Sequence, residues 1–350
     1  MKSRLQQVRS DVVAVLQGRA EFLKPLAGCN IVITGGTGFL GTWLLELICA
    51  LNTDYQFDTR VTIYSRSAPD FARRQKHLGA RREFRFLDGD IRFLTELPYE
   101  THYIIHAASL TDRRLFASNP TAVGEVNSLG TIRLLRAASR LEDLRNLLLI
   151  SSGLIYGPQS LSTERISENY SAGFACDDPN AIYAESKRFS EAFAASFVSE
   201  TKIPLVLARP FAFVGPYQSL ELPWAVTDFI RDSLAGRPIK IMGDGSTVRS
   251  LMYASDFAYW ILAALACGQV RHAYNIGSPE PVDLLSLART ITQHFTPPPD
   301  ILTKVGQYGH EPTRLVPNID KARRELGVQV TVPLADAIQR TINWHRLGES

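Results

Sequence analysis

Long apolar runs are missing from this sequence. The longest ones, residues 44–51 and 259–266, fall well short of the roughly 20 residues that a helix needs to cross a bilayer. The N-terminal residues mix charged side chains with one brief apolar segment, unlike the apolar core of a secretory signal. We therefore expect a cytoplasmic protein with no membrane partner.

Cysteine is also scarce. The four cysteines, Cys29, Cys49, Cys176 and Cys267, lie far apart and form no C-x-x-C pair. A chain of 350 residues buries a large core and does not need disulfides to stabilise it. We expect buried, reduced thiols, and neither the cysteines nor the seven histidines indicate a metal site.

A large excess of charge of one sign is absent as well. The formal net charge is +3, and with 45% hydrophobic and 21% charged residues the composition is that of a globular protein. The densest basic cluster, residues 73–82, contains no aromatic residue. It indicates a solvent-exposed helix and loop, and we expect no nucleic-acid partner.

Short β-type runs alternate with helical stretches along much of the chain. The runs lie at residues 31–34, 61–64, 84–86, 103–106, 147–151 and 205–208. Such runs joined by crossover helices indicate a parallel sheet covered on both faces, so the predicted fold class is doubly wound α/β, Rossmann-like. Before them, five apolar residues recur at helical spacing and predict an amphipathic helix: Leu5, Val8, Val12, Val13 and Leu16.

A glycine-rich turn follows the first run. Glycines stand at positions 35, 38 and 41, and residues 42–50 have a helical pattern. Glycine allows a tight turn and close approach of the backbone to a pyrophosphate, and the helix N-terminus supplies N–H donors. The turn predicts dinucleotide binding by Gly35, Thr37, Gly38, Phe39, Leu40 and Gly41.

The G-x-x-G-x-x-G spacing resembles the short-chain dehydrogenase/reductase family. The resemblance implies further cofactor-binding residues at the ends of later strands, namely Asp90, Ile91, Ala107, Ala108, Ser109, Asn127 and Pro210. At the end of the second run, Ser65 and Arg66 stand where an acidic residue would select NAD. A guanidinium suits a 2′-phosphate, so NADP is favoured, although NAD stays acceptable if Arg66 stacks on adenine or faces solvent.

The catalytic candidates follow the fifth run. Tyr183 and Lys187 have the family's Y-x-x-x-K spacing, which places both side chains on one helix face. A nearby ammonium favours the phenolate form of tyrosine, the base that hydride transfer at a carbinol requires. Residues 151–157 resemble the serine-bearing segment of nucleotide-sugar epimerases, and this likeness places Ser152 against the reacting sugar oxygen.

The C-terminal part resembles the substrate-binding half of the same family. The resemblance implies that Arg249, and after it Arg314, bind the diphosphate of a nucleotide sugar. Ala212 departs from the pattern, because many members carry an asparagine there. The chain is therefore divided into a helical extension (1–28), an NAD(P)-binding domain (29–208) and a mainly substrate-binding, smaller α/β domain (209–350).

The reaction class rests on two residues that are not acidic. Family members that dehydrate or decarboxylate the sugar place carboxylates at the positions of Gly153 and Leu154. Two redox outcomes remain, C4 epimerisation of a nucleotide-diphosphate hexose, which we favour, and reduction of a 4-keto sugar by NADPH. Base-catalysed epimerisation at C3 or C5 would need a further acid or base near the sugar, and the sequence does not assign Cys176, Glu168 or His310 to that role. A non-catalytic cofactor-binding regulator or scaffold is the alternative from another class.

An aromatic stripe follows the catalytic pair. Phe189, Phe193 and Phe197 recur every fourth residue and would share one helix face. They indicate core or a dimer surface, and since relatives commonly dimerise through this helix, we expect a homodimer.

Overall fold

The computed structural model describes residues 3–160, 162–175, 177–304 and 313–347. The strands are β1 Asn30–Thr34, β2 Arg60–Tyr64, β3 Phe84–Leu87, β4 Tyr103–His106, β5 Asn146–Ile150, β6 Leu205–Pro210, β7 Ala212–Val214, β8 Ile239–Ile241, β9 Val248–Arg249, β10 Leu251–Tyr253, β11 Ala273–Ile276, β12 Val282–Asp283 and β13 Ile301–Thr303. The α-helices are α1 Arg4–Leu16, α2 Phe39–Tyr55, α3 Ala68–Arg74, α4 Lys76–Gly79, α5 Arg113–Ser118, α6 Pro120–Ala138, α7 Ile182–Thr201, α8 Ala225–Leu234, α9 Ala254–Cys267, α10 Leu284–Thr292, α11 Asp320–Leu326 and α12 Leu334–Arg346.

The centre of the molecule is a seven-stranded parallel sheet. Its strand order is β3-β2-β1-β4-β5-β6-β11. The chain proceeds outward from β1 in one direction and from β4 in the other, so a crevice opens where the carboxyl ends of β1 and β4 diverge. The predicted doubly wound fold is confirmed, and all six predicted runs are strands of this sheet.

Helices cover both faces of the sheet. Ile31 and Ile33 of β1 pack in one apolar cluster with α2 and α9, whereas Val32 packs in a second cluster with α6 and α7. This alternation follows from the two-residue period of a strand. In the part of the chain that the structure describes, no helix is both long and apolar enough to span a bilayer.

The N-terminal helix α1 packs against α2 and α9. Ser3 caps it in a reciprocal pair with Gln6, which satisfies two N–H groups of its first turn. The predicted helix is present, but Leu5 and Val13 of the predicted apolar stripe are exposed, and Val15 is buried. The stripe was misassigned because the buried face of this helix is rotated away from Val13 toward Asp11 and Val15, and the polar Asp11 hides that face from an apolar pattern.

The C-terminal part builds a smaller α/β layer and also adds to the sheet. Three two-stranded sheets, β7/β10, β8/β13 and β9/β12, pack with α8, α10 and α12 around their own apolar cluster. Strand β11 and helix α9, both beyond residue 209, belong to the large sheet and its cover. Residues 209–350 therefore contribute to both layers.

The cysteines do not behave uniformly. Cys29, Cys49 and Cys267 are free thiols, but only Cys29 is buried, since Cys49 is intermediate and Cys267 is exposed. The expectation of buried thiols is therefore wrong for Cys49 and Cys267. Cys176 lies outside the described residues.

Candidate active site in the sheet crevice

The glycine-rich turn joins β1 to α2 at the crevice. Gly35 has φ +71°, and a Cβ added there would lie 2.7 Å from the backbone N and Cα of Ala108. Gly38 is the N-cap of α2 and supplies no side-chain acceptor, so the first N–H groups of the helix are open to a ligand. Because Gly38 is the cap, α2 begins at Phe39 rather than at Thr42 as predicted.

Three hydroxyl groups meet beside this turn at the end of β2. Thr37 Oγ1 lies 2.7 Å from Ser65 Oγ and 3.0 Å from Ser67 Oγ. Arg66, between the two serines, is exposed. Thr37, Ser65 and Arg66, which the sequence assigned to the cofactor, are therefore close together, and Ser67 joins them.

Asp90 is an ion-pair partner at the end of β3. Arg92 donates to both of its carboxylate oxygens, with Nη2 2.8 Å from Oδ2. These hydrogen bonds, together with the charge of Arg66, hold the pKa of Asp90 below its ordinary value. The carboxylate is therefore ionised and fixed just after β3, with Ile91 following it in a short helical turn.

The segment after β4 connects the crevice to α6 and α7. Ser109 Oγ lies 2.7 Å from Asn127 Oδ1, and Asn127 donates to Ser186 Oγ at 2.9 Å. Asn127 is only 1% exposed, so it orients Ser109 from behind. His106 hydrogen-bonds Thr34, and burial followed by the charge of Lys187 lowers its pKa to about 3, so its ring is neutral.

Tyr183 stands at the start of α7 and is nearly buried. Burial raises its pKa, and hydrogen bonds from the Ser109 and Ser152 side chains oppose that rise. The structure therefore brings the predicted serine and tyrosine together. It adds Ser109 as a second hydroxyl, and it adds Phe116, whose ring stacks on Tyr183 with centroids 4.8 Å apart.

Lys187 lies one turn further along α7. Its ammonium donates to the backbone oxygen of Ile150 at 2.9 Å. Burial lowers the pKa of Lys187 to about 8, and the carboxylate of Glu191 acts in the opposite direction. The lysine is therefore still mainly charged at neutral pH.

The predicted substrate arginines lie together in the C-terminal layer. Arg249 donates to Val248 O, Thr313 O and Thr313 Oγ1, all neutral oxygens. Burial, and then the charge of Arg113, lowers the pKa of Arg249. Arg314 forms a β-bridge with Val248, next to Arg249, and donates to Glu164 O at 3.0 Å.

Sequence reasoning missed Arg113. Its guanidinium lies over the Trp224 ring at 5.7 Å, while its neighbour Arg114 is paired with Asp112. Within the described ranges, neither Arg113 nor Arg249 is in an ion pair with a carboxylate, and the charge of Arg113 acts on Arg249. The signal in the sequence was the Asp112-Arg113-Arg114 run. One aspartate can pair with only one of the two arginines, so the other is free to bind an anion.

The segment after Ser152 carries no acid. Gly153 begins a short helical turn, and a Cβ at that position would lie 3.1 Å from the Phe211 ring. Glu168 accepts from the backbone N–H of Asn275 at 2.9 Å and is thereby fixed in place. His310, like Cys176, lies outside the described residues.

A metal ion would need a group of side chains that could bind it together. Over the described ranges, no three His, Cys, Asp or Glu side chains are grouped to hold a metal ion. His102 and His106 are four residues apart, but β4 is a strand, in which four residues span about 13 Å.

Comparisons with known proteins find relatives over most of the chain. A profile of the NAD dependent epimerase/dehydratase family matches residues 31–277. The chain is 27% identical over 326 residues to UDP-glucuronic acid decarboxylase 1 of Xenopus tropicalis, covering 93% of this chain and 74% of that one. It is 28% identical over 344 residues to dTDP-D-glucose 4,6-dehydratase of Bos taurus, covering 94% and 92% of the two chains.

Solved structures share the fold. UDP-glucuronic acid 4-epimerase from Bacillus cereus, in complex with UDP-glucuronic acid and NAD, superposes with a TM-score of 0.78 at 23% identity, covering 91% of this chain and 99% of that one. UDP-glucose 4-epimerase from Thermotoga maritima gives a TM-score of 0.76 at 20% identity, covering 91% and 98%. The chain belongs to the NAD dependent epimerase/dehydratase family, the extended short-chain dehydrogenase/reductases that its motifs resemble.

Proposed function

We propose that this protein is an NAD(P)-dependent epimerase that inverts C4 of a nucleotide-diphosphate hexose. The observation that carries the proposal is a buried Ser152–Tyr183–Lys187 site with no carboxylate at Gly153 or Leu154. The names of the relatives include a decarboxylase, a dehydratase and epimerases, so family membership alone does not choose among these reactions. The absence of an acid beside Ser152 removes the chemistry of the first two.

The crevice suits a dinucleotide. The close approach of Gly35 to Ala108 and the open N-terminus of α2 provide a narrow backbone cradle for a pyrophosphate. Residues proposed to hold the cofactor are Gly35, Thr37, Gly38, Phe39, Leu40, Gly41, Ser65, Arg66, Asp90, Ile91, Ala107, Ala108, Ser109, Asn127, Tyr183, Lys187 and Pro210. When bound, the cofactor would supply a nicotinamide that can accept the C4 hydride of the sugar and give it back to the opposite face of the 4-keto sugar.

The side chains of the chain move the proton. Tyr183 Oη takes the proton of the sugar hydroxyl, and Ser152 hydrogen-bonds the same oxygen. Lys187, charged at neutral pH, stabilises the phenolate that Tyr183 must become. Returning the proton from Tyr183 completes the cycle, so no other acid is needed.

The substrate is held by its diphosphate. Arg249 donates its hydrogen bonds to neutral oxygens, which do not neutralise its positive charge. Arg113 adds a second positive charge nearby. Two like charges kept together are stabilised by an anion between them. We assign the diphosphate to Arg249 and Arg113, with Arg314 beside them.

A cytoplasmic location of the protein remains a prediction.

The test is the cofactor balance of the purified protein. Mass spectrometry identifies any retained nucleotide, and nicotinamide absorbance is followed with nucleotide sugars and with their 4-keto forms. Inversion at C4 without net change in absorbance is expected. Stoichiometric NADPH oxidation by a 4-keto sugar would establish the reductase instead, and cofactor binding without any turnover would support the regulator or scaffold.

The Thr37–Ser65–Ser67 cluster with Arg66 favours NADP over NAD. We expect Arg66→Ala to weaken NADPH binding about tenfold or more, because one charge-assisted hydrogen bond contributes roughly 1.5–3 kcal/mol. NADH binding should change less than about twofold. Titration of both cofactors measures this, with Arg85→Ala, an exposed arginine on β3, as the matched control. Equal losses for the two cofactors would overturn the preference.

The aromatic stripe supports a homodimer. Phe189 is 46% exposed, and the rings of Phe189, Phe193 and Phe197 stack in a row on α7, with Leu129 of α6 also exposed. An apolar face of this kind on two packed helices suits an isologous contact with a second copy. Phe189→Glu is expected to give a monomer in sedimentation velocity, whereas Phe22→Glu, at another exposed phenylalanine, should not. A monomeric unsubstituted protein at micromolar concentration would contradict this.

A further inference from the structure

A row of buried polar groups lies behind the catalytic lysine. Lys187 and Glu191 are one turn apart on α7 and are 4% and 8% exposed. Arg209 of β6 grips Glu191 with two hydrogen bonds, Nε to Oε1 at 3.0 Å and Nη2 to Oε2 at 2.6 Å. Both oxygens of Glu191 are thereby held, although neither the tyrosine nor the sugar chemistry uses this carboxylate.

Arg209 is itself fixed from the other side. Its Nη1 donates to Tyr156 Oη at 2.9 Å and to Glu168 O at 2.8 Å. Tyr156 donates onward to Asn275 Oδ1 at 2.6 Å, which ties the row to β11. The Glu191–Arg209 pair therefore cannot rotate without breaking several buried hydrogen bonds, each costly to leave unsatisfied.

The surroundings of Lys187 contain few other charges. His106 of β4 is neutral, β5 presents the backbone oxygen of Ile150, and Tyr183 is on the same helix. From β6, the charge of Arg209 lies beyond Glu191. Within the described ranges, Glu191 is the carboxylate whose charge acts on Lys187.

We propose that Glu191, held by Arg209 one helical turn from Lys187, is a positioning residue whose negative charge keeps the Lys187 ammonium charged during turnover. The inference rests on the proposed use of Tyr183 and Lys187. Desolvation alone would drive a buried lysine toward its neutral form, and a neutral lysine cannot stabilise a phenolate. A carboxylate one helical turn away offsets part of that cost, and the two hydrogen bonds from Arg209 hold this carboxylate in place.

The test compares two substitutions that act in opposite directions. Glu191→Gln removes the negative charge, so the alkaline limb of the kcat profile should move to lower pH by about one pH unit, with a roughly fivefold lower kcat at pH 8. Arg209→Gln removes the positive charge that partly cancels the charge of Glu191 but keeps an N–H donor for its carboxylate, so the limb should move to higher pH. KM for the sugar should change little in both variants. Glu200→Gln, exposed on the same helix, is the control.

A second measurement does not depend on turnover. Competitive acetylation of the cofactor-free protein, read by mass spectrometry, gives the pH at which Lys187 loses its proton, and Glu191→Gln should lower it. In the kinetic test, the proposal would be overturned if the alkaline limb of the kcat profile stayed in place, or if it moved in the same direction in both variants. If either variant does not fold, acetylation of the other decides, because each has its own expected sign. Absence of turnover in the unsubstituted protein would count against the proposed function alone.

Discussion

Tyr183→Phe is expected to lower kcat by at least about 100-fold, since general acid–base catalysis contributes roughly 10²–10⁴ in rate. The substitution removes one hydroxyl and keeps the ring, so the stack on Phe116 at 4.8 Å is preserved. Ser152 and Ser109 lose a partner but stay hydrogen-bonded, to Leu154 N and Asn127 respectively. Turnover and cofactor titration on the same preparation measure the effect, and cofactor binding should fall less than about threefold.

The matched control is Tyr259→Phe. Tyr259 is equally buried, lies on α9 and donates to Arg19 O far from the crevice. Its loss should change stability slightly and leave kcat unaltered. A Tyr183→Phe enzyme that retains more than about a tenth of the turnover would remove the tyrosine from the mechanism. Unsubstituted protein that binds cofactor but shows no turnover would favour the regulator or scaffold.

The predictable part of the fold is the part that local pattern encodes. Each predicted apolar run, three to five residues long, forms a strand of the sheet, because a parallel strand is covered on both faces. Strand β11 was not among the predicted runs, because Ala273–Ile276 contains the polar Asn275 and follows a region of mixed elements. Its place beside β6 depends on pairing across more than 60 residues, which no local pattern encodes.

In the candidate site, too, local sequence patterns identified some residues, whereas contacts between distant segments determine the others. Tyr183 and Lys187 were found from one helical spacing, and the glycines from one turn. Phe116 and Arg113 were missed because their contacts, with Tyr183 and Trp224, join segments far apart in the chain. Glu191 shares a helix face with Lys187, but its importance comes from Arg209, 18 residues further on, which the helix pattern cannot reveal.

Gly35→Ala is expected to destabilise the protein and to weaken cofactor binding at least tenfold. A residue with a Cβ at φ +71° costs about 1–3 kcal/mol in backbone strain. In addition, the methyl group would overlap the backbone of Ala108 at 2.7 Å, and backbone atoms cannot move aside as a flexible side chain does. The β1–α2 turn and the segment after β4 must therefore separate at the place proposed to hold the pyrophosphate. Thermal unfolding and cofactor titration measure the two effects.

Gly18→Ala separates strain from overlap. Gly18 has φ +70° and nothing within 4 Å of an added Cβ, so this variant meets the same conformational cost without the collision. Both variants should unfold at lower temperature, Gly35→Ala by the larger margin, whereas only Gly35→Ala should lose cofactor affinity. Equal affinities in the two variants would mean that contact between the turn and Ala108 is not needed for binding. Affinity lost in Gly35→Ala alone would instead place the dinucleotide against this turn, because overlap with Ala108 is what distinguishes the two substitutions.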